Sequence, residues 1–209
     1  MNIFENWKTV PNLLCFIRIL LVPAFIVFYL KGYPLLSVAV LIVSGLTDCF
    51  DGKIARKFNQ ISALGKILDP IADKCTQIAV ALVLLYKFNT SSSHTMKMFS
   101  YVFILFLFKE ILMLAFGSYM LKIGLKPVAA EIFGKVATFV FYVVMVLIIG
   151  FGPEIGAFST YNLRMAMPEC MAFILVIISL ILTFAALGSY IPNVWHQLKE
   201  RKKEIGDNK

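Results

Sequence analysis

Apolar residues in this chain fall into long blocks separated by short polar stretches, and six such blocks cover most of its length. They run over approximately 12–30, 35–52, 66–88, 97–121, 132–151 and 170–192. Each approaches the roughly 20 residues that a helix needs to cross the hydrocarbon of a bilayer. Backbone groups find no water partner in lipid, so these blocks must be helices rather than open strands. The expected fold class is therefore all-α: a polytopic membrane protein with six transmembrane helices. A soluble helical bundle would need more polar faces than the chain offers. Residues 1–11 mix Ile3, Phe4 and Trp7 with polar groups, which suits a short interfacial helix before the first span. Only Lys8 precedes a first apolar run that is too long for a signal peptide, so that run is expected to stay as a span. No internal repeat or soluble domain is visible, and residues 1–209 form one membrane domain ending in a basic tail over 193–209.

Composition sharpens this picture. Of 209 residues, 60% are hydrophobic and 15% charged, against about 45–50% and about 25% in soluble domains. The charge is placed unevenly. Lys8, Lys53, Arg56, Lys57, Lys66, Lys122, Lys126, Lys135, Lys199, Arg201, Lys202, Lys203 and Lys209 fall on one side of a six-span layout. Only Lys31, Lys87, Lys97 and Arg164 fall on the other. By the positive-inside rule both termini are expected in the cytoplasm, with 89–93 and 152–168 facing outward. The formal net charge of +8 points to an anionic membrane surface as partner, and not to nucleic acid, because the basic residues are confined to membrane flanks. A bacterial plasma membrane is the expected location. Cys15, Cys49, Cys75 and Cys170 lack paired spacing and read as small core residues. His94 and His196 stand alone near membrane edges and are assigned no role.

The chemistry concentrates in one stretch. Asp48 and Asp51 lie three apart at the end of the second block, and Asp69 and Asp73 lie four apart at the start of the third. These spacings put each pair on one helix face, and a short connection makes the two helices antiparallel neighbours. Four carboxylates then converge at the membrane boundary, where ionisable groups are costly and mark function. A divalent cation resolves their repulsion. All-carboxylate ligation suits Mg²⁺ or Mn²⁺ rather than zinc, and there is room for two ions in the manner of two-metal phosphoryl chemistry. Gly52 and Ala55 allow a bulky ligand to approach the helix backbone, Arg56 can pair with phosphate, and Gly65 permits a close contact. Helix packing and end capping explain each residue singly, but not four acids together in so apolar a chain.

The full pattern is Asp48-x-x-Asp51-Gly52-x-x-Ala55-Arg56, eight residues, Gly65, three residues, Asp69, three residues, Asp73. It resembles the signature of the CDP-alcohol phosphotransferases at every fixed position. Pro11-Asn12 and Arg18, with the six-span layout, extend the resemblance over most of the chain. The resemblance implies a six-helix membrane bundle, commonly a homodimer. It implies that Asp48, Asp51, Asp69 and Asp73 hold the metals and that Asp73 is also the catalytic base. Asp48, Gly52, Ala55, Arg56 and Gly65 would surround the cytidine diphosphate of CDP-diacylglycerol, and CMP would leave as an acceptor alcohol attacks phosphorus.

The acceptor is less clearly written. Phe108-Lys109-Glu110 and Gly134-Lys135-Val136-Ala137-Thr138 resemble segments of the phosphatidylglycerophosphate synthase and cardiolipin synthase branches. Phe116 and Ala137 stand where the glycerophosphate enzymes usually carry further basic residues, and Leu125-Lys126-Pro127 resembles the cardiolipin synthases. Lys109, Lys135 and Arg18 remain able to form an anion pocket. Glycerol 3-phosphate is the expected acceptor, with phosphatidylglycerol as the alternative. For Lys109 and Lys135 the plain alternative is snorkelling to the membrane edge. A membrane cation transporter would account for the acids, but it leaves Gly52, Ala55, Arg56 and Gly65 without a role.

Overall fold

The computed structural model describes residues 9–58, 62, 64–123, 132–161 and 165–207. Among these the chain is wholly helical: α1 (Val10–Leu30), α2 (Pro34–Lys57), α3 (Gly65–Asn89), α4 (His94–Lys122), α5 (Ile132–Phe151), the short α6 (Ala157–Tyr161) and α7 (Glu169–Asp207). The six apolar blocks correspond to the six long helices. Four of these are long and apolar enough to cross a membrane over Val10–Leu30, His94–Met120, Gly134–Phe151 and Glu169–Lys199, and α2 contributes a shorter apolar stretch over Pro34–Asp48. The two helices outside that group of four, α2 and α3, carry the charged motif, and Asp69, Asp73, Lys74 and Lys87 lower the apolar character of α3. The interfacial segment foreseen for 1–11 lies almost wholly outside the described residues. The basic tail is no separate element, because α7 continues as one helix to Asp207.

Local chemistry explains the helix ends. Thr9 has extended backbone and its side chain accepts from the Asn12 amide, with Pro11 in the first turn, which satisfies orphan donors at the start of α1. Gly32, at φ 82, turns the chain between α1 and α2, a left-handed conformation that glycine adopts without strain. Pro34 then opens α2 with its φ already set for a helix.

Helix α1 packs on α2 and α3, α3 on α4, and α5 on α7, while α2 meets α5. Inside lies a run of rings in mutual contact. Phe88 meets Phe103 at 5.6 Å between centroids, Phe103 meets Phe106 at 6.1 Å, and Phe106 meets Phe141 at 5.4 Å. Burial from water does not drive helix association within lipid, so this contact contributes chiefly through dispersion and fit. Leu20, Ile181 and Ile191 remain exposed on the outside of the bundle, as lipid-facing residues should be.

One end of the bundle is tied by its connections. The Ser91 hydroxyl and the Ser92 amide donate to the Glu154 carboxylate, and the Tyr29 hydroxyl donates to the Ile155 carbonyl at 3.0 Å. The segments 89–93 and 152–156 therefore share one end, as the charge pattern requires. At the other end the Ser62 hydroxyl donates to Asn12 Oδ1 at 2.9 Å and accepts from the Gly65 amide at 2.9 Å. This joins the start of α1 to the start of α3, and it needs glycine at 65. A Cβ there would stand 2.5 Å from Asn12 Oδ1 and 3.0 Å from Ser62 Oγ. Gly65→Ala is therefore expected to cost about 1–3 kcal/mol through forced displacement of this node. A thermal unfolding midpoint equal to that of the parent protein in the same detergent would contradict the assignment.

Candidate active site

The site is built where α1, α2 and α3 converge. Asp69 and Asp73 are one turn apart on α3 and share a face, as their spacing predicts. Asp48 approaches from α2, and carboxylate oxygens of the three lie within 4.8 Å of one another. The guanidinium of Arg18, from α1, sits among them. Its Nη1 is 2.7 Å from Asp48 Oδ1, 3.2 Å from Asp69 Oδ1 and 3.1 Å from Asp73 Oδ1. The Arg18 side chain is fully buried, whereas that of Asp69 is half exposed. One cation facing three carboxylates leaves this group with a net charge of minus two when all are ionised.

Asp48, Asp69 and Asp73 also line a cavity of about 750 Å³, a size typical of small-molecule sites. The same cavity is lined by Lys109 from α4, and by Gly134, Lys135, Thr138 and Tyr142 from α5. Lys109 is buried rather than reaching for the membrane edge, and its ammonium contacts one carboxylate oxygen of Glu110. The other oxygen of Glu110 lies 2.6 Å from Lys74 Nζ. Lys74 in turn reaches Gln77 Oε1 at 3.4 Å.

The structure thus brings together three of the four predicted aspartates, and Lys109 and Lys135 line the same cavity as they do. Arg18 is not among the described residues lining that cavity; it stands behind the aspartates rather than beside the two lysines. Gly65 abuts Asn12 and Ser62. Asp51, Gly52, Ala55 and Arg56 continue the helical backbone of α2, but their side chains fall outside the described residues. Lys74, Gln77, Glu110, Thr138 and Tyr142 are site-lining or site-bracing residues that the sequence reading left unassigned. Two of them were adjacent to assigned residues: Lys74 follows Asp73 and Glu110 follows Lys109. Gln77 is one helical turn beyond Asp73, so helical spacing alone could have found it.

Chemically, three oxygen-donor side chains that surround a positive group are suited to a hard divalent cation. Their spacing and net negative charge fit such an ion, and the placement of Arg18 shows that the space between them accommodates positive charge. Asp48, Asp69 and Asp73 are the described residues that would hold it.

Comparison with known proteins shows the family. The family model for CDP-alcohol phosphatidyltransferase matches residues 8–185. A CDP-diacylglycerol--glycerol-3-phosphate 3-phosphatidyltransferase of Yersinia pestis (strain Pestoides F) is 30% identical over 197 residues, covering 91% of this chain and 97% of that protein. A protein of the same name from Salmonella typhimurium is 35% identical over 133 residues, 62% of this chain and 70% of its own length. A "Putative cardiolipin synthase" of Mycobacterium tuberculosis (strain ATCC 25618 / H37Rv) is 46% identical over 76 residues, which span 36% of each chain.

Arg18→Gln is expected to leave the three carboxylates facing one another without their buried counter-charge. Breaking a fully buried ion pair costs roughly 3–5 kcal/mol, and the solvent access that Asp48, Asp69 and Asp73 retain makes the loss smaller here. The loss should appear as a lower unfolding midpoint in chelator and should be partly recovered on adding a divalent cation. Equal midpoints for variant and parent in chelator would show that Arg18 does not hold the group together.

Proposed function

Because the chain belongs to the CDP-alcohol phosphatidyltransferase family, we propose that it transfers the phosphatidyl group of CDP-diacylglycerol to glycerol 3-phosphate and releases CMP. The observation that carries this reading is one cavity lined by Asp48, Asp69 and Asp73 together with Lys109 and Lys135. A reaction between a nucleotide diphosphate donor and a phosphorylated alcohol needs both kinds of group within reach of one reacting atom. The similarity to the Yersinia protein along 91% of this chain supports the same acceptor.

In this reading Asp48, Asp51, Asp69 and Asp73 bind Mg²⁺ or Mn²⁺, which supply charge neutralisation at the diphosphate. Gly52, Ala55, Arg56 and Gly65 surround the cytidine diphosphate. Asp73 accepts the proton of the acceptor hydroxyl. A bond forms from that oxygen to the lipid-side phosphorus, and the bond from phosphorus to the bridging oxygen breaks, with the electron pair leaving on CMP. Arg18 holds the Asp73 carboxylate in position for this step. Lys109 and Lys135 bind the phosphate of the acceptor. All six long helices span the membrane, the site faces the cytoplasm, and the protein acts as a homodimer. A second reading takes phosphatidylglycerol as acceptor and is favoured by the higher identity of the 76-residue stretch shared with the mycobacterial protein.

The proposal is tested with purified protein, CDP-diacylglycerol and either glycerol 3-phosphate or phosphatidylglycerol, identifying the lipid product. Phosphatidylglycerophosphate is expected, and cardiolipin formed in its place would establish the second reading. CMP release should stop in chelator and return with Mg²⁺ or Mn²⁺. Asp73→Asn should stay folded and lose about 10²-fold or more in turnover, the usual loss for a positioned base. Undiminished turnover in that variant would remove Asp73 from the role of base.

A further inference from the structure

A buried carboxylate that the proposed chemistry does not use lies against two lysines that line the proposed acceptor pocket. Glu110 is 3% exposed and lies within a helix long and apolar enough to cross a membrane, where an ionised side chain is expensive to keep. Its two oxygens go to different partners: one to Lys109 on the same helix, the other to Lys74 on α3 at 2.6 Å. Both lysines line the cavity, and Lys135 lines it as well. A single carboxylate held between two ammonium groups fixes their separation. Glu110 meets each ammonium through a single oxygen in an ion pair, and each ammonium has three donors, so donors remain for the cavity.

We infer that Glu110 is a positioning residue that sets Lys74 and Lys109 as a paired contact for a phosphate monoester, making Lys74 a further acceptor-binding residue. The inference rests on the acceptor reading above and deepens it. Three ammonium groups, those of Lys74, Lys109 and Lys135, and the one Glu110 carboxylate carry a net charge of plus two between them when all are ionised. A phosphate monoester carries close to two negative charges near neutral pH, about −1.5 to −2, whereas a phosphodiester carries one. The bracket therefore matches the headgroup of glycerol 3-phosphate in charge and prefers it over a diester or an uncharged alcohol. Glu110 also prevents repulsion between the two lysines it holds, and it joins α4 to the helix that carries Asp69 and Asp73. The acceptor phosphate and the proposed base are thereby referred to the same rigid element.

The test compares Glu110→Gln and Lys74→Gln with the parent protein, all full-length in detergent with Mg²⁺. The readout is the ratio of kcat/KM for glycerol 3-phosphate to that for glycerol, together with KM for CDP-diacylglycerol. Both variants are expected to lower the ratio about tenfold or more, the direction expected when a polar recognition contact is lost, through a higher KM for glycerol 3-phosphate and with donor KM unchanged. A merely structural role would depress both acceptors alike and leave the ratio intact. A second measurement needs no turnover: glycerol 3-phosphate without donor should raise the unfolding midpoint of the parent, and that rise should vanish in both variants. Lys74 lies at the cavity wall with its side chain 19% exposed, so Lys74→Gln keeps the test decisive should Glu110→Gln fail to fold. An unchanged ratio and an undiminished rise in Lys74→Gln would overturn the inference while leaving the acceptor reading standing. A parent protein that uses phosphatidylglycerol and ignores glycerol 3-phosphate would overturn both.

Discussion

The placement of one buried guanidinium among three carboxylates governs the arrangement of this protein. Arg18, Asp48, Asp69 and Asp73 come from three different helices. No single helix could carry such charges into an apolar bundle without partners, because an unpaired buried ion costs several kcal/mol. Mutual attraction draws α1, α2 and α3 together, and the Asn12–Ser62–Gly65 node joins the starts of α1 and α3. The aromatic run from Phe88 to Phe141 completes the bundle by contact alone. In a medium where apolar surface gains little from association, the polar centre specifies which helices are neighbours, and the apolar faces supply fit.

Helix α3 is the element on which the two sides of the cavity meet. Asp73 and Lys74 are consecutive, so their side chains leave the helix in directions about 100° apart. One turns to Arg18 and the other to Glu110. The negative group and the positive group therefore share one backbone while their side chains engage different partners. A rotation of α3 about its axis would upset both ion networks together. That coupling makes the relative position of acid and base walls a property of one rigid helix and not of two flexible loops, the condition under which reacting groups can be held in line.

The sequence carried the architecture in its apolar blocks, because helix length in lipid is set by bilayer thickness. It carried the aspartate group because spacings of three and four residues determine a shared helix face. Two features resisted such reading. The charges that make α2 and α3 interesting also dilute their hydropathy, so composition alone recovers four spans and a shorter apolar stretch. The partners of a charged residue on another helix depend on interhelix register, which periodicity within one helix does not specify. Arg18 is the clearest case. Its sequence position suggested an anion pocket with Lys109 and Lys135, and the fold turns it to the aspartates. Glu110 is the converse: it is visible beside Lys109, but its bond to Lys74 exists only once α3 packs on α4.

The absence of basic residues at 116 and 137 then has a physical reading. Phe116 is an exposed apolar residue on α4, and Ala137 is buried on α5 at the cavity wall. A further cation at 137 would add positive charge to a cavity that already holds Lys74, Lys109 and Lys135, whereas 116 is not among the described residues that line it. Each added ammonium in so apolar a setting would need its own carboxylate or remain costly, and Glu110 already has both oxygens engaged. Cation number in such a site is therefore limited by the carboxylates available to brace it, as much as by the charge of the ligand. Counting basic residues along the sequence measures only half of that balance; the other half is the buried acid that holds them apart.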